Sequence, residues 1–453
     1  MMTNLRQTVF CFALLLFLAN AVHAQTPPRW RTLVNSPAAS NGRHDDIFFV
    51  SNALGWAVNG NGNIFKTTDG GAFWMLLFTA NVYFRSVAFV DSLRGWAGTL
   101  SSQRPLYETT DGGATWNVVQ NIPAPLPSGI CGFSIVGDSV VYGSGRVDGP
   151  ARLIKTTDRG RTWQSFDLSS VAAFLVDCYF SSPDSGIVVG GTNLDLRQSR
   201  CIVLFTANGG TTWSVRHVGS RMNEWCWKIS FPSRNVGYIS LERLWDSGDT
   251  TQVYFLKTTN RGVTWAEKLF LTRHYDEEGI GFVTDSLGWI GGWATPSYPN
   301  APTYETTDGG ETWRVMDFGR NVNRFRRMND TLAYAAGIRI YKYSRDSIAV
   351  SVQEKVIPES PEFSLHQNYP NPFNPSTTIT FVLQRPSFVE LQVFDIRGRL
   401  VETLVNHSVQ TGMHAVDFSA KDHASGIYLV RLTVFDDVRN IRYTQSRKLV
   451  VVK

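Results

Sequence analysis

Apolar residues along most of this chain recur at every second position in short runs, as at Ile47 and Phe49 or Ile280 and Phe282. This is the period of strands whose alternate side chains face a core. Each run ends on a large apolar residue, and another follows seven positions later: Phe49 and Trp56, Phe89 and Trp96, Ile135 and Tyr142, Phe180 and Ile187, Phe231 and Tyr238, Phe282 and Trp289. Gly55, Gly95, Gly186, Gly237 and Gly288 stand just before the second member. The pattern predicts an innermost strand, a turn, and a second strand that opens on a glycine and an aromatic.

A polar octet follows each pair. It reads TTDGGAFW (67–74), TTDGGATW (109–116), TTDRGRTW (156–163), TANGGTTW (206–213), TTNRGVTW (258–265) and TTDGGETW (306–313). Its third position holds Asp69, Asp111, Asp158, Asn208, Asn260 and Asp308, and it closes on Trp74, Trp116, Trp163, Trp213, Trp265 and Trp313. The tryptophans are 42, 47, 50, 52 and 48 residues apart, the length of a four-stranded propeller blade. Asp or Asn accepts hydrogen bonds from the amides of its own turn, and glycine adopts the positive φ such a turn needs. A calcium or sugar site is the alternative use of these carboxylates. Six copies around a ring, two with Asn in place of the charge, argue instead for a structural latch.

The seventh copy is split. Leu332 to Ala336, Gly337 and Ile338 to Tyr343 have no octet after them, whereas Trp30, Thr32 and Val34 look like a strand that elsewhere follows the tryptophan. The expected fold is therefore an all-β, seven-bladed β-propeller over 25–345, closed by its N-terminal strand and leaving no free sheet edge. Six and eight blades are the alternatives.

Other segments differ in character. Arg6, the apolar run Val9 to Ala19, too short to span a bilayer, and Val22, His23 and Ala24 predict a signal peptide over 1–24, with an uncleaved anchor as the alternative. No later stretch reads as a membrane helix. Residues 346–361 carry Pro358 and Pro361 and read as a linker. Residues 362–453 predict a small Ig-like β-sandwich, with strands at 389–394, 400–405, 413–418, 427–435 and 447–452.

The octets resemble the Asp boxes of bacterial neuraminidase repeats, and their TTDGG form is similar to propellers related to photosystem II assembly factors. The resemblance implies a propeller and leaves activity open, since sialidases, other glycosidases and non-enzymatic binding propellers share the motif. The last segment resembles the type A sorting domain of the type IX secretion system. It does so through NYPNPFNP (368–375: Tyr369, Pro370, Asn371, Pro372, Phe373, Asn374, Pro375), VFDIRGRLV (393–401, with Gly398), SGIYLVRL (425–432, with Gly426 and Tyr428) and KLVVVK (448–453). That resemblance implies the type IX machinery as a partner and a secreted or outer-membrane-surface location reached through the periplasm. An ordinary Ig-like accessory domain is the alternative.

Composition narrows the chemistry. With 43 Lys+Arg against 38 Asp+Glu, the net charge of +5 over 453 residues does not favour nucleic acid. After the signal, Cys131, Cys178, Cys201 and Cys226 remain; none forms a CxxC, and either disulfides or small buried hydrophobes are consistent with their spacing. Four residues before each inner-strand aromatic, or its equivalent, stand Asp45, Arg85, Cys131, Val176, Trp227 and Glu278, with Arg324 in the last copy. Asp45, Arg85, Trp227, Glu278 and Arg324 are the candidate ligand-binding residues at the funnel mouth, for a surface glycan or a protein. A glycoside hydrolase, sialidase-like or glucanase-like, is the enzymatic alternative; Asp45, Asp46, Asp177, Glu224, Asp276, Glu277 and Glu278 supply acids without singling out a pair. His44, Asp45 and Asp46 are adjacent, but neighbours on a strand face opposite ways, so no metal is expected. No Gly-rich loop precedes a helix, so no cofactor is expected either. A monomeric binding or scaffold module without catalysis is the leading expectation.

Overall fold

The computed structural model describes residues 27–39, 42–244, 252–294, 301–345, 363–395, 399–435 and 441–452. The expected signal peptide and linker lie outside them, as does Gly398. Seven four-stranded antiparallel sheets follow one another as the blades of a propeller. Their inner strands are His44–Phe49, Phe84–Phe89, Gly132–Val136, Phe174–Phe180, Glu224–Ser230, Asp276–Phe282 and Arg324–Asn329, numbered here as blades 1 to 7. In blade 7 the outermost strand is Arg29–Thr32, with Trp30 opposite Tyr343, so the N-terminal strand closes the ring as its sequence predicted.

The seven-residue aromatic spacing is a contact between blades. Trp56 of blade 1 stacks on Phe89 of blade 2 with ring centroids 3.5 Å apart, Tyr142 on Phe180 at 3.4 Å, and Tyr238 on Phe282 at 3.5 Å. Tyr334 of blade 7 stacks on Phe49 of blade 1 at 3.7 Å and completes the circuit. The preceding glycine is needed because the inner-strand ring lies flat over it: a Cβ on Gly95 would stand 2.4 Å from Phe89. Each stacked pair adds about 1 kcal/mol beyond its buried area.

The octets are turns tied to the next ring. In blade 2, Thr109 Oγ1 accepts from the Gly113 amide at 2.9 Å, while Asp111 accepts from the Thr115 amide and hydroxyl at 2.9 and 2.6 Å. In Asn260 the amide group instead donates to Thr264 Oγ1 at 2.9 Å and the turn is kept. The closing indoles meet rings edge-on: Trp116 meets the inner-strand Phe89 at 5.9 Å, and Trp163, whose blade has Ile135 at that place, meets Trp96 of blade 2 at 5.9 Å. A lysine on the third strand crosses to the following blade's box: Lys66 donates to Gly112 O at 2.9 Å and Lys257 to Gly309 O at 2.7 Å.

The C-terminal segment packs two sheets face to face. One holds Phe363–Leu365, Ser376–Leu383 and Gly412–Ser419; the other holds Leu400–Val409, Ser387–Asp395, Gly426–Phe435 and Ile441–Val451. Alternate residues Val389, Leu391 and Val393 meet Val430 and Leu432 in its core. The last strand begins at Ile441, earlier than the alternation at 447–452 suggests. In the motif, Asn371 accepts from the Val450 amide at 2.8 Å and donates to Lys448 O at 2.9 Å, which fixes the last strand. Phe373 is buried, Tyr369 is exposed, and Tyr428 donates to Ala424 O at 2.9 Å.

Candidate functional site

The inner strands do not run straight to the channel mouth. The pairing with the second strand slips between His44 and Asp46, Phe84 and Ser86, Leu175 and Asp177, Cys226 and Ile229, and Glu277 and Ile280. Residues Asp45, Arg85, Val176, Trp227 and Glu278 fall in these β-bulges, where an extra residue leaves the ladder and its side chain is re-aimed. Five blades place a bulge at the same height, so these side chains face one another at one end of the channel.

Asp45 is the hub. Arg85 pairs with its carboxylate directly, Arg43 Nε reaches it at 3.2 Å, and the Tyr83 hydroxyl donates to it at 3.2 Å. Arg43 also pairs with Glu278 at 2.8 Å and lies 4.7 Å from the Trp293 ring. The Arg85 guanidinium lies 4.8 Å from the Trp227 ring, whose indole donates to Asn323 Oδ1 at 2.9 Å. Asn323 in turn donates to Asp45 O at 2.7 Å. Arg324 bridges Asp177 at 2.8 Å and Asp46 at 3.2 Å. Asp45, Arg85, Trp227 and Glu278 are thus joined by one buried network and Arg324 heads a second on Asp46 and Asp177; all five are at least nine-tenths buried.

Arg43, Asn323 and Lys228 complete the cluster and were not among the sequence candidates. Each stands within two residues of one, and the signal was the run of consecutive polar or aromatic residues, such as His44-Asp45-Asp46 or Trp227-Lys228, where alternation breaks. Lys228 is fully enclosed, its Nζ has no hydrogen-bond partner, and it lies 5.2 Å from the Trp227 ring. Burial, then the neighbouring Arg324 and Arg85, lowers its pKa to about 7. At the rim, Glu242 accepts from the Trp225 indole at 3.1 Å. Burial, with Glu278 adding to it, raises its pKa to about 8.

The remaining candidates are structural neighbours of this cluster or separate from it. His44 Nε2 contacts Pro37 O at 2.9 Å, and burial lowers its pKa to about 4. Asp46 Oδ2 accepts from the Val87 amide at 3.1 Å and Asp177 from the Ile229 amide at 3.2 Å, each tying two blades. Cys131, Cys178, Cys201 and Cys226 are buried thiols. Among the described residues no group of three or more His, Cys, Asp or Glu side chains is placed to hold a metal, and no helix is long and apolar enough to cross a membrane.

The opposite end of the channel is open. A cavity of about 360 Å³ is lined there by Phe48, Ile135, Tyr179 and the arginines 324, 326 and 327. It shares Tyr179 and Arg327 with a groove of about 660 Å³ that runs outward between blades 4 and 5.

Residues 367–451 match the family model described as the secretion system C-terminal sorting domain. No curated protein matches the chain. Among solved structures, YCF48 bound to D1 peptide is similar at 19% identity, over 71% of this chain and 98% of that one, with a TM-score of 0.51. YCF48 from Cyanidioschyzon merolae is similar at 17% identity, over 70% and 99%, with a TM-score of 0.52. Both likenesses establish the propeller fold. The chain is an exported seven-bladed β-propeller carrying a type IX secretion sorting domain that directs it to the cell surface or beyond.

Proposed function

We propose that the propeller is a non-catalytic binding module displayed outside the cell, with residues 25–345 as the working domain and 362–453 as the delivery domain. The observation that carries this reading is the closure of the mouth carboxylates: Asp45 on Arg85 and Arg43, Glu278 on Arg43, Asp46 and Asp177 on Arg324. A carboxylate already engaged by guanidinia is held in place and closed to a substrate, so these acids serve shape rather than turnover. In this reading Asp45, Arg85, Trp227, Glu278 and Arg324 hold the mouth shut. That YCF48, of the same fold, is bound to a peptide supports a binding role for such a ring.

Glu242 favours a second reading. A carboxyl group with a pKa near 8 beside the Glu278 carboxylate is the kind of pair that glycoside hydrolysis uses. A hydrolysis screen over plant, bacterial and host glycans, run on the wild-type chain beside Glu242→Gln and Glu278→Gln, separates the two. No product from any of the three supports binding alone. Turnover by wild type, lost in Glu242→Gln, would overturn it.

A further inference from the structure

We propose that the open end of the channel, on the face that carries the Asp boxes, is a binding site for an anionic saccharide. This rests on the reading of the ring as a binding module and names its site and ligand class. The groove between blades 4 and 5 encloses about 660 Å³, within the roughly 300–1,000 Å³ of small-molecule sites. Four arginines line it, Arg216, Arg234, Arg261 and Arg327, and no acidic side chain does. It continues into the channel-end cavity through Arg327 and Tyr179, and that cavity also has no acidic lining. The opposite mouth carries its charges paired and shut; among the described residues none of the four groove arginines pairs with a carboxylate, whereas Arg324 and Arg326 of the channel-end cavity are held by Asp46.

The arginines are held in place by the fold. Arg216 stacks on Phe205 at 4.6 Å, and its Nε is buried without a hydrogen-bond partner. Arg327 Nε donates to Val283 O at 2.8 Å and Arg261 Nε to Asn235 Oδ1 at 3.2 Å, which leaves the terminal nitrogens of both for a ligand. Arg261 occupies a box position that holds glycine in four of the other octets, and it keeps the left-handed backbone there, with φ 63°. Planar guanidinia recognise carboxylate, sulfate and phosphate groups through paired N–H donors. Tyr179 and Phe231, stacked at 4.4 Å, form the inner wall, an apolar surface against which a sugar ring can lie. An acidic peptide fits less well. Peptides commonly add to a free strand edge, and the outer strand Ser214–Val218 reaches the groove only through Arg216.

The test is calorimetric titration of the full exported chain with a sulfated heparin hexasaccharide, an oligogalacturonate, neutral maltohexaose and a poly-glutamate peptide, at about 50 and 200 mM salt. The variant is Arg234→Gln with Arg261→Gly; both side chains are exposed, and the second change restores the glycine of other boxes. We expect at least one anionic saccharide to bind with an affinity that falls with salt and weakens by about ten-fold or more in the variant, with thermal midpoint unchanged and maltohexaose silent. Equal affinity in the variant, binding of maltohexaose equal to the anionic sugars, or failure of both anionic sugars would overturn the proposal. Poly-glutamate binding at least as tightly would reassign the site to a peptide. Cleavage of a bound sugar that Glu242→Gln abolishes while binding persists would sink the non-catalytic reading and leave this site standing.

Discussion

Lys228 is the residue at which sequence and environment conflict most. Its ammonium group is enclosed beside two guanidinia, and its pKa falls from 10.5 to about 7. A base whose folded pKa is depressed carries a penalty that is complete below the folded value and relieved as pH rises to the unfolded value. Lys228→Met, of similar length, is therefore expected to stabilise the chain by about 2 kcal/mol at pH 6, with the advantage fading between pH 7 and 10. Urea denaturation of both proteins across that range checks it; a gain that persists at pH 10 would show that packing, not titration, is responsible. Gly95 is the opposite case, a residue whose absence of side chain is the point. Gly95→Ala drives a Cβ to 2.4 Å from the Phe89 ring and is expected to cost about 1–3 kcal/mol, read as a lower thermal midpoint. The glycine was visible in the sequence as part of a repeat; its reason appeared only with the stacked ring.

At the scale of the element, the Asp box is a turn whose chemistry could be read directly from TTDGG, because every contact it makes internally is within a few residues. Asp111→Ala removes acceptors for the Thr115 amide and hydroxyl and is expected to cost about 1–2 kcal/mol. Asp111→Asn should cost only a few tenths, since Asn208 and Asn260 already make the same turn. Comparing the two denaturation midpoints tests whether geometry or charge matters; equal losses would assign the role to charge. The cross-blade lysines were overlooked because a lysine on a strand face carries no mark of where its ammonium ends. The inner-strand bulges were likewise missed: alternation predicts which face a residue takes, and a bulge shifts that assignment by one or two positions.

For the whole molecule, closure is the decisive event. Trp30 packs edge-on to Trp289 at 5.1 Å and flat on Phe318 at 4.6 Å while its strand pairs with Ile340–Ser344. Trp30→Ala is expected to cost about 3–5 kcal/mol and to lower amide-exchange protection first in the strands of blade 7. Uniform loss around the ring would mean that the seam is no weaker than any other blade contact.

The sequence by itself determined the blade repeat, the split seventh copy and the closing strand, and pointed to seven blades and a sorting domain, because each is written in local spacing and turn chemistry that repeats or matches over a short window; the fold and the family match closed the alternatives of six or eight blades and of an accessory domain. The ring's charge arrangement was decided by tertiary structure alone. Arg85 finds Asp45 across 40 residues and Arg324 finds Asp177 across 147, pairings that exist only once bulged strands from different blades converge on a closed axis. Periodicity records which residues face inward, but not which inward residues meet. That is why the five mouth candidates could be named from the chain, while the locking of one end of the channel and the basic opening of the other required the folded ring.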